Sequence, residues 1–412
     1  MLRLRRDPTR RWGAVVTALA LCACTESAPS TAPDAATVTD VTDAGAALDA
    51  GPDVTVTEDA PPVAEDVPPP VDVPSGADPL GFAVNQPGPY RVGYHQWRVT
   101  YTPRGSTAAR TIQLHAWYPT LVARGSHPRY GLVFLDTNAY TDAPAAPPLR
   151  AQGYPVHVYS HGHQGFGPTS HFLMRWFASH GWVAVAPDHA GNTLVDTPNP
   201  LPAAMFHLRS QDVAAALDAV SATGDTTAFL AGRADVSRVI LSGHSAGTHT
   251  TWASAGATFD AASVEARCAI NPCADGDRAV FAAGLRDPRV VGTIPLAGAI
   301  RREWFGATGH GTVAVPVFAM SGSADPVGAD AQFMSATGVD LRWIEVRGGC
   351  HQFFALGNCD DAPNDLQGPI LGTYALAFAR SLVLGDASAS TRDILDGTTP
   401  VHERVTFQRR TP

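Results

Sequence analysis

From about Leu80 onward, short apolar blocks alternate along the chain with longer amphipathic stretches. The blocks at Val156 to Tyr159, Trp182 to Ala186, Val239 to Leu241, Val291 to Leu296, Val315 to Met320 and Leu341 to Val346 show little polar alternation. That pattern predicts strands covered on both faces. Helices are predicted between them, at Ser170 to Ser179, Met205 to Ser221, Ser245 to Ala255, Asp277 to Leu285 and Gln332 to Thr337, with a last one within Gly368 to Leu384. Two extended candidates, Tyr90 to Thr102 and Thr111 to Pro119, precede the series. Strands joined by crossover helices predict an α/β fold with a mostly parallel central sheet and helices on both faces. Such sheets place reactive groups at the carboxyl ends of their strands. No internal repeat interrupts this rhythm.

The pattern is absent before residue 80. Residues 1–23 have a basic start with five arginines, an apolar stretch from Gly13 to Leu21 and an end rich in small residues. The stretch is far shorter than the ~20 residues a bilayer crossing needs, so it predicts an export signal. Leu21-Cys22-Ala23-Cys24 resembles a bacterial lipobox, which makes Cys24 the candidate lipidation site and the membrane a partner; plain secretory cleavage is the alternative. Arg10-Arg11 hints at twin-arginine export. Residues 24–79 are rich in Ala, Pro, Asp and Thr and hold no aromatic residue, which predicts a disordered acidic tether, with an acidic interaction tail as the other reading. Residues 80–412 form the expected catalytic domain.

Composition narrows the chemistry. With 412 residues and 45% hydrophobic content the chain can bury a sizeable core. Its net charge is −9, and 12 of its 38 acids lie between Glu26 and Asp78, where there is no arginine. From residue 79 the balance is 24 arginines against 25 acids, so no basic field points to nucleic acid. The chain contains no lysine, which excludes Schiff-base and pyridoxal-phosphate chemistry.

One junction carries a nucleophile signature. In "RVILSGHSAGTHT" an apolar block runs into Gly243-His244-Ser245-Ala246-Gly247 and then into a helical stretch. Ser245 therefore sits at a sharp strand-to-helix turn, where glycines avoid collisions and the helix N-terminus favours negative charge. A serine hydroxyl needs a base, and the base an orienting acid. Asp325, after the block ending near Ser321, and His351, after the block ending near Arg347, follow in the required order. Asp330 and His310 are the respective runners-up. Backbone N–H groups of Ala246 and of His163, in the glycine-rich run His161-Gly162-His163-Gln164-Gly165, are the expected oxyanion donors. Gln164, His244 and Trp304 are expected substrate contacts. His161 and His163 complete no recognised ligand set, so no metal and no other cofactor is expected.

Together these segments resemble the α/β-hydrolase superfamily, and within it the dienelactone-hydrolase-like, platelet-activating-factor-acetylhydrolase-like and cutinase-like polyesterase branch. "VYSHGHQGFGPTSHFLMRWFASHGWVAVAPDHAGNT", "RSQDVAAALDAV", "GHSAGTHT", "SGSADP" and "GGCHQFF" carry the likeness, over roughly Gly81 to Leu384. It implies Ser245 as nucleophile, Asp325 as acid, His351 as base, and His163 with Ala246 as oxyanion donors. Dienelactone hydrolases proper use cysteine; serine here implies ordinary ester hydrolysis. The expected partner is a small-molecule, lipid or polyester ester substrate, and the expected state a monomer. Acyltransferase, peptidase and non-catalytic binding lipoprotein are the alternatives. Beyond Cys22 and Cys24, four cysteines remain, and of their three pairings the short loops favour Cys268 with Cys273 and Cys350 with Cys359. Loops Asn192 to Ala204 and Thr258 to Arg278 are expected to border the cleft.

Overall fold

The computed structural model describes residue 73 and residues 77–412 except 132–133, 329–332 and 334–335, with 225–226 described by backbone alone. The expected signal, Cys24 and nearly all of the tether lie outside the described residues, as does Asp330.

Among the described residues, twelve strands form in chain order: β1 Arg91–Tyr101, β2 Arg110–Thr120, β3 Arg129–Tyr130, β4 Phe134–Leu135, β5 Ala139–Thr141, β6 Tyr154–Ser160, β7 Val183–Pro187, β8 Ala234–His244, β9 Val290–Leu296, β10 Val317–Gly322, β11 Leu341–Val346 and β12 Val405–Arg410. Ten make one sheet, ordered β12-β11-β10-β9-β8-β6-β7-β2-β1-β5. The run from β7 through β6, β8, β9 and β10 to β11 is parallel; β2 pairs antiparallel with β7 and with β1, β12 pairs antiparallel with β11, and β1 pairs parallel with the edge strand β5. The sheet with its flanking helices is an α/β-hydrolase fold.

The central strands are buried on both faces, as their unbroken apolar blocks require: every residue of β6, β7 and β10 is buried. One face packs on α1 (His171–Ser179) and on the continuous helical stretch whose middle is Thr373–Ala379. Leu173, Phe177, Phe318, Tyr374 and Phe378 share that core. On the other face, α2 (Met205–Ser221) sets Val213 and Leu217 against Val156, Val158, Val239 and Leu241. A further helix, α3 (Gly247–Ala255), leaves the end of β8 toward the same side.

Several elements differ from expectation. β8 runs from Ala234 to His244, well beyond its three-residue apolar block, because Ala234 and Asp235 also pair with β6, ahead of a register shift that precedes the Val239 pairing. Helices Ala261–Cys268 and Ala389–Leu395 and the edge strand β12 were not predicted. β12 has four exposed residues of six, so its pattern carries almost no hydrophobic signal.

Candidate active site

The junction after β8 is built by close backbone approach. Ser245 has φ of 54°, a left-handed conformation costly for a residue with a Cβ. Its N–H donates to Leu296 O at 2.9 Å, tying the turn to the end of β9. A side chain at Gly243 would place its Cβ 2.3 Å from Gly247 O, and one at Gly247 would place it 2.1 Å from Ser160 O. Neither contact is possible for real atoms, so both flanking positions need glycine. Strand β8 thus delivers Ser245, partly exposed, directly onto the N-terminus of α3.

His351 and Asp325 converge as the chain order requires. Asp325 follows β10, and its carboxylate lies 3.1 and 3.2 Å from His351 Nδ1, with the Asp side chain 1% and the His side chain 7% exposed. Asp325 also accepts from Val327 N at 3.0 Å, which fixes its loop. His244, next to Ser245, points its Nε2 at His351 O at 3.0 Å, with the two rings 4.5 Å apart. Because a carbonyl only accepts, His244 carries its proton on Nε2. Burial first, and the nearby His351 second, hold His244 well below the usual histidine range, so it is neutral. Its role differs from the expected substrate contact: it is buried and braces the His351 loop.

Ser245 lines a cavity of about 570 Å³ together with Ala246, His163 and Gln164. The His161–Gly165 run passes close to the turn, since a Cβ on Gly162 would sit 3.2 Å from Ser245 Cβ. Asn192 Nδ2 donates to His163 Nδ1 at 2.8 Å and so sets this ring's orientation. Asn192, Thr197 and Asn199 from one expected border loop line the cavity, but only Asn271 from the other. The two loops are tied by Asn271 Nδ2 donating to Leu201 O at 2.8 Å.

Two expectations fail here besides His244. Trp304 is 1% exposed and packs against Phe206 and Phe281 in the core, with no face toward the cavity. His310, the alternative base, is buried near Trp252, away from Ser245's cavity. The cysteines pair Cys268–Cys273 and Cys350–Cys359, and the second bridge closes the loop beginning at the residue before His351. Among the described residues, no group of three or more His, Cys, Asp or Glu is arranged to hold a metal.

Residues missed from the sequence surround the site. Arg209 from α2 is fully buried and lines the cavity. It donates to Asn192 Oδ1 at 2.7 Å, Ser160 Oγ and Thr250 Oγ1 at 3.2 Å, and His161 O. Burial pulls it down to about 9, leaving it charged at neutral pH. Beneath it, Ser160 Oγ lies 2.9 Å from His189 Nε2, and His189 Nδ1 lies 2.9 Å from Asp212 Oδ2. These three form a second serine–histidine–carboxylate line. All three are essentially unexposed, and Asp212 also receives Arg110 and Tyr101, so the line supports the site from below without access for a substrate.

No protein-family model matches the chain, and no curated protein matches it. Among solved structures it is similar to a ferulic acid esterase from Streptomyces cinnamoneus, at 20% identity over 77% of this chain and 96% of that one, with a TM-score of 0.54.

Proposed function

We propose that this chain is an exported, lipid-tethered serine hydrolase that cleaves carboxylic esters through an acyl-enzyme. The observation that carries the reading is the Asp325–His351 pair, tied through His244 to the turn that carries a strained Ser245 opening onto a cavity. With Nδ1 turned to Asp325, His351 keeps Nε2 for the serine. Ser245 Oγ attacks the ester carbonyl carbon as its proton passes to Nε2. The oxyanion is met by the N–H groups of Ala246 and His163, aided by the N-terminus of α3. Collapse breaks the carbon–oxygen bond to the alcohol, which leaves with the proton from His351. Water, deprotonated by the same nitrogen, then releases the acid and restores Ser245. Residues of the chain and water balance every step, so the reaction draws on no cofactor. The ester-cleaving activity named for the structural neighbour supports the same reaction class.

Substrate access favours an ester presented at an apolar surface, lipid or polyester. Leu194, Val195 and Ile270 are large exposed apolar residues on the two loops that supply Asn192, Thr197 and Asn271 to the cavity. The disulfides fit export to an oxidising compartment. Among the described residues no helix is long and apolar enough to cross a membrane, and Cys24 is the proposed point of attachment.

A fluorophosphonate probe tests the central claim. Labelling should map to Ser245 and vanish in Ser245→Ala, with p-nitrophenyl ester turnover vanishing alongside it. A folded wild-type protein that neither labels nor turns over any ester is a binding protein instead. Faster turnover of amides, or of acyl transfer to alcohols, reassigns the triad to a peptidase or an acyltransferase.

A further inference from the structure

The wall of the Ser245 cavity has a charge bias opposite to that of the whole chain. Among the described residues, Arg209 and Arg301 line it and no carboxylate does, whereas the chain as a whole is at −9. Arg209 directs its hydrogen bonds only at neutral oxygens, so no carboxylate touches its guanidinium. Burial lowers Arg209 most, Asp212 and Tyr159 oppose it, and Arg110 and then Arg301 add smaller repulsions.

Arg301 is held as a recognition group would be. It lies just after β9 with φ of 63°, and strain at a non-glycine position is retained where surrounding structure holds it. Its guanidinium stands over the ring of Phe206, another cavity residue, at 5.7 Å. Its Nε is 2.9 Å from Glu303 Oε1, yet out of line for a hydrogen bond, and this buried atom has no hydrogen-bond partner. Glu303 is shared with Arg267 at 3.9 Å and does not line the cavity. Polar amides complete the wall, from Gln164, Asn192, Asn199 and Asn271.

We infer that Arg301 selects an ester bearing a carboxylate, which it receives by charge-assisted hydrogen bonds while Arg209 adds a positive field from behind. The inference rests on the esterase reading above. The carboxylate is carried either by the acyl part or by the alcohol part, and the two sources are separable with defined esters. Mono-p-nitrophenyl glutarate against p-nitrophenyl pentanoate probes the acyl side. 4-Acetoxybenzoate against its methyl ester probes the leaving-group side.

In the full exported protein, at least one pair should favour the charged ester about tenfold in kcat/KM at low salt. The advantage should shrink in about 0.5 M salt, where the Debye length falls to a few ångströms. Arg301→Gln should bring the ratio close to one, Arg301→Lys should keep part of it, and Glu303→Gln should raise it. Thermal unfolding of each variant checks that it is folded. If neutral esters are turned over, yet neither charged ester is favoured or Arg301→Gln leaves the ratio as it was, the inference falls while the esterase reading stands. If wild type turns over none of the four esters, both fall.

Discussion

His244 Nε2 donates to the carbonyl oxygen of His351, so the residue before Ser245 holds the loop that carries His351. The contact joins positions 107 apart in the chain. Removing it should leave the cavity intact and loosen the imidazole. His244→Leu is expected to lower kcat about tenfold with little change in KM, since the lost contact serves the reacting geometry and not substrate binding. Steady-state kinetics on a short p-nitrophenyl ester decides it; an unchanged kcat would show that Asp325 alone suffices to place His351.

Asp325 should matter more. Asp325→Asn keeps the shape but removes the charge that favours the imidazolium and fixes its tautomer, and kcat is expected to fall by about 10³ to 10⁴. Ser245 should still be slowly labelled by a fluorophosphonate. Activity near wild type would hand the acid role to another carboxylate, Asp330 first.

The Cys350–Cys359 bridge encloses the loop that starts at His351. Mild reduction, or Cys350→Ser with Cys359→Ser, should lower activity before it lowers the global unfolding transition. The parallel readouts are ester turnover and circular dichroism. Activity untouched by reductant, with the bridge mapped in the starting material, would assign it to stability alone.

Asp212 is a buried carboxylate serving Arg110, Tyr101 and His189 at once. Asp212→Asn leaves Arg110 buried without its partner and should cost about 3–5 kcal/mol of stability. Urea unfolding measures this directly, and a loss under about 1 kcal/mol would mean that the network relaxes around neutral groups.

Acid sensitivity follows from buried histidines. Burial lowers His157 to about 3. Burial is also the leading cause at His171 and His180, both about 4, and at His249, about 3. Unfolded, each titrates near ~6.5, so between those values the unfolded chain binds more protons and gains on the folded one as pH falls. Their contribution is complete above about pH 6.5 and is lost progressively toward pH 3 to 4. The melting temperature should therefore be flat above neutrality and decline below about pH 6. His157→Phe, placed where His157 stacks on Phe177 at 4.1 Å, should flatten that decline. The same slope in the variant would remove His157 from the account.

What the sequence disclosed follows from what local pattern can encode. The central strands appear as apolar blocks because both faces are covered, and the turn at Ser245 appears because a Cβ at either of its two glycines would fall 2.1 or 2.3 Å from a backbone oxygen. Chain order was enough to bring Asp325 and His351 together. Trp304 and His244 were misassigned because a large apolar or aromatic residue near a site reads the same whether it faces the cavity or the core. Arg209 and Arg301 went unseen for a related reason. Nothing in "FHLRSQD" or "AIRREW" marks an arginine whose neighbours come from distant segments.

Ser160, His189 and Asp212 reproduce the atom spacing of a catalytic triad in a place no ester can enter. Matching three atoms to a template would select this buried line as readily as the proposed centre at Ser245. What separates Ser245 from Ser160 in this molecule is an open path to solvent.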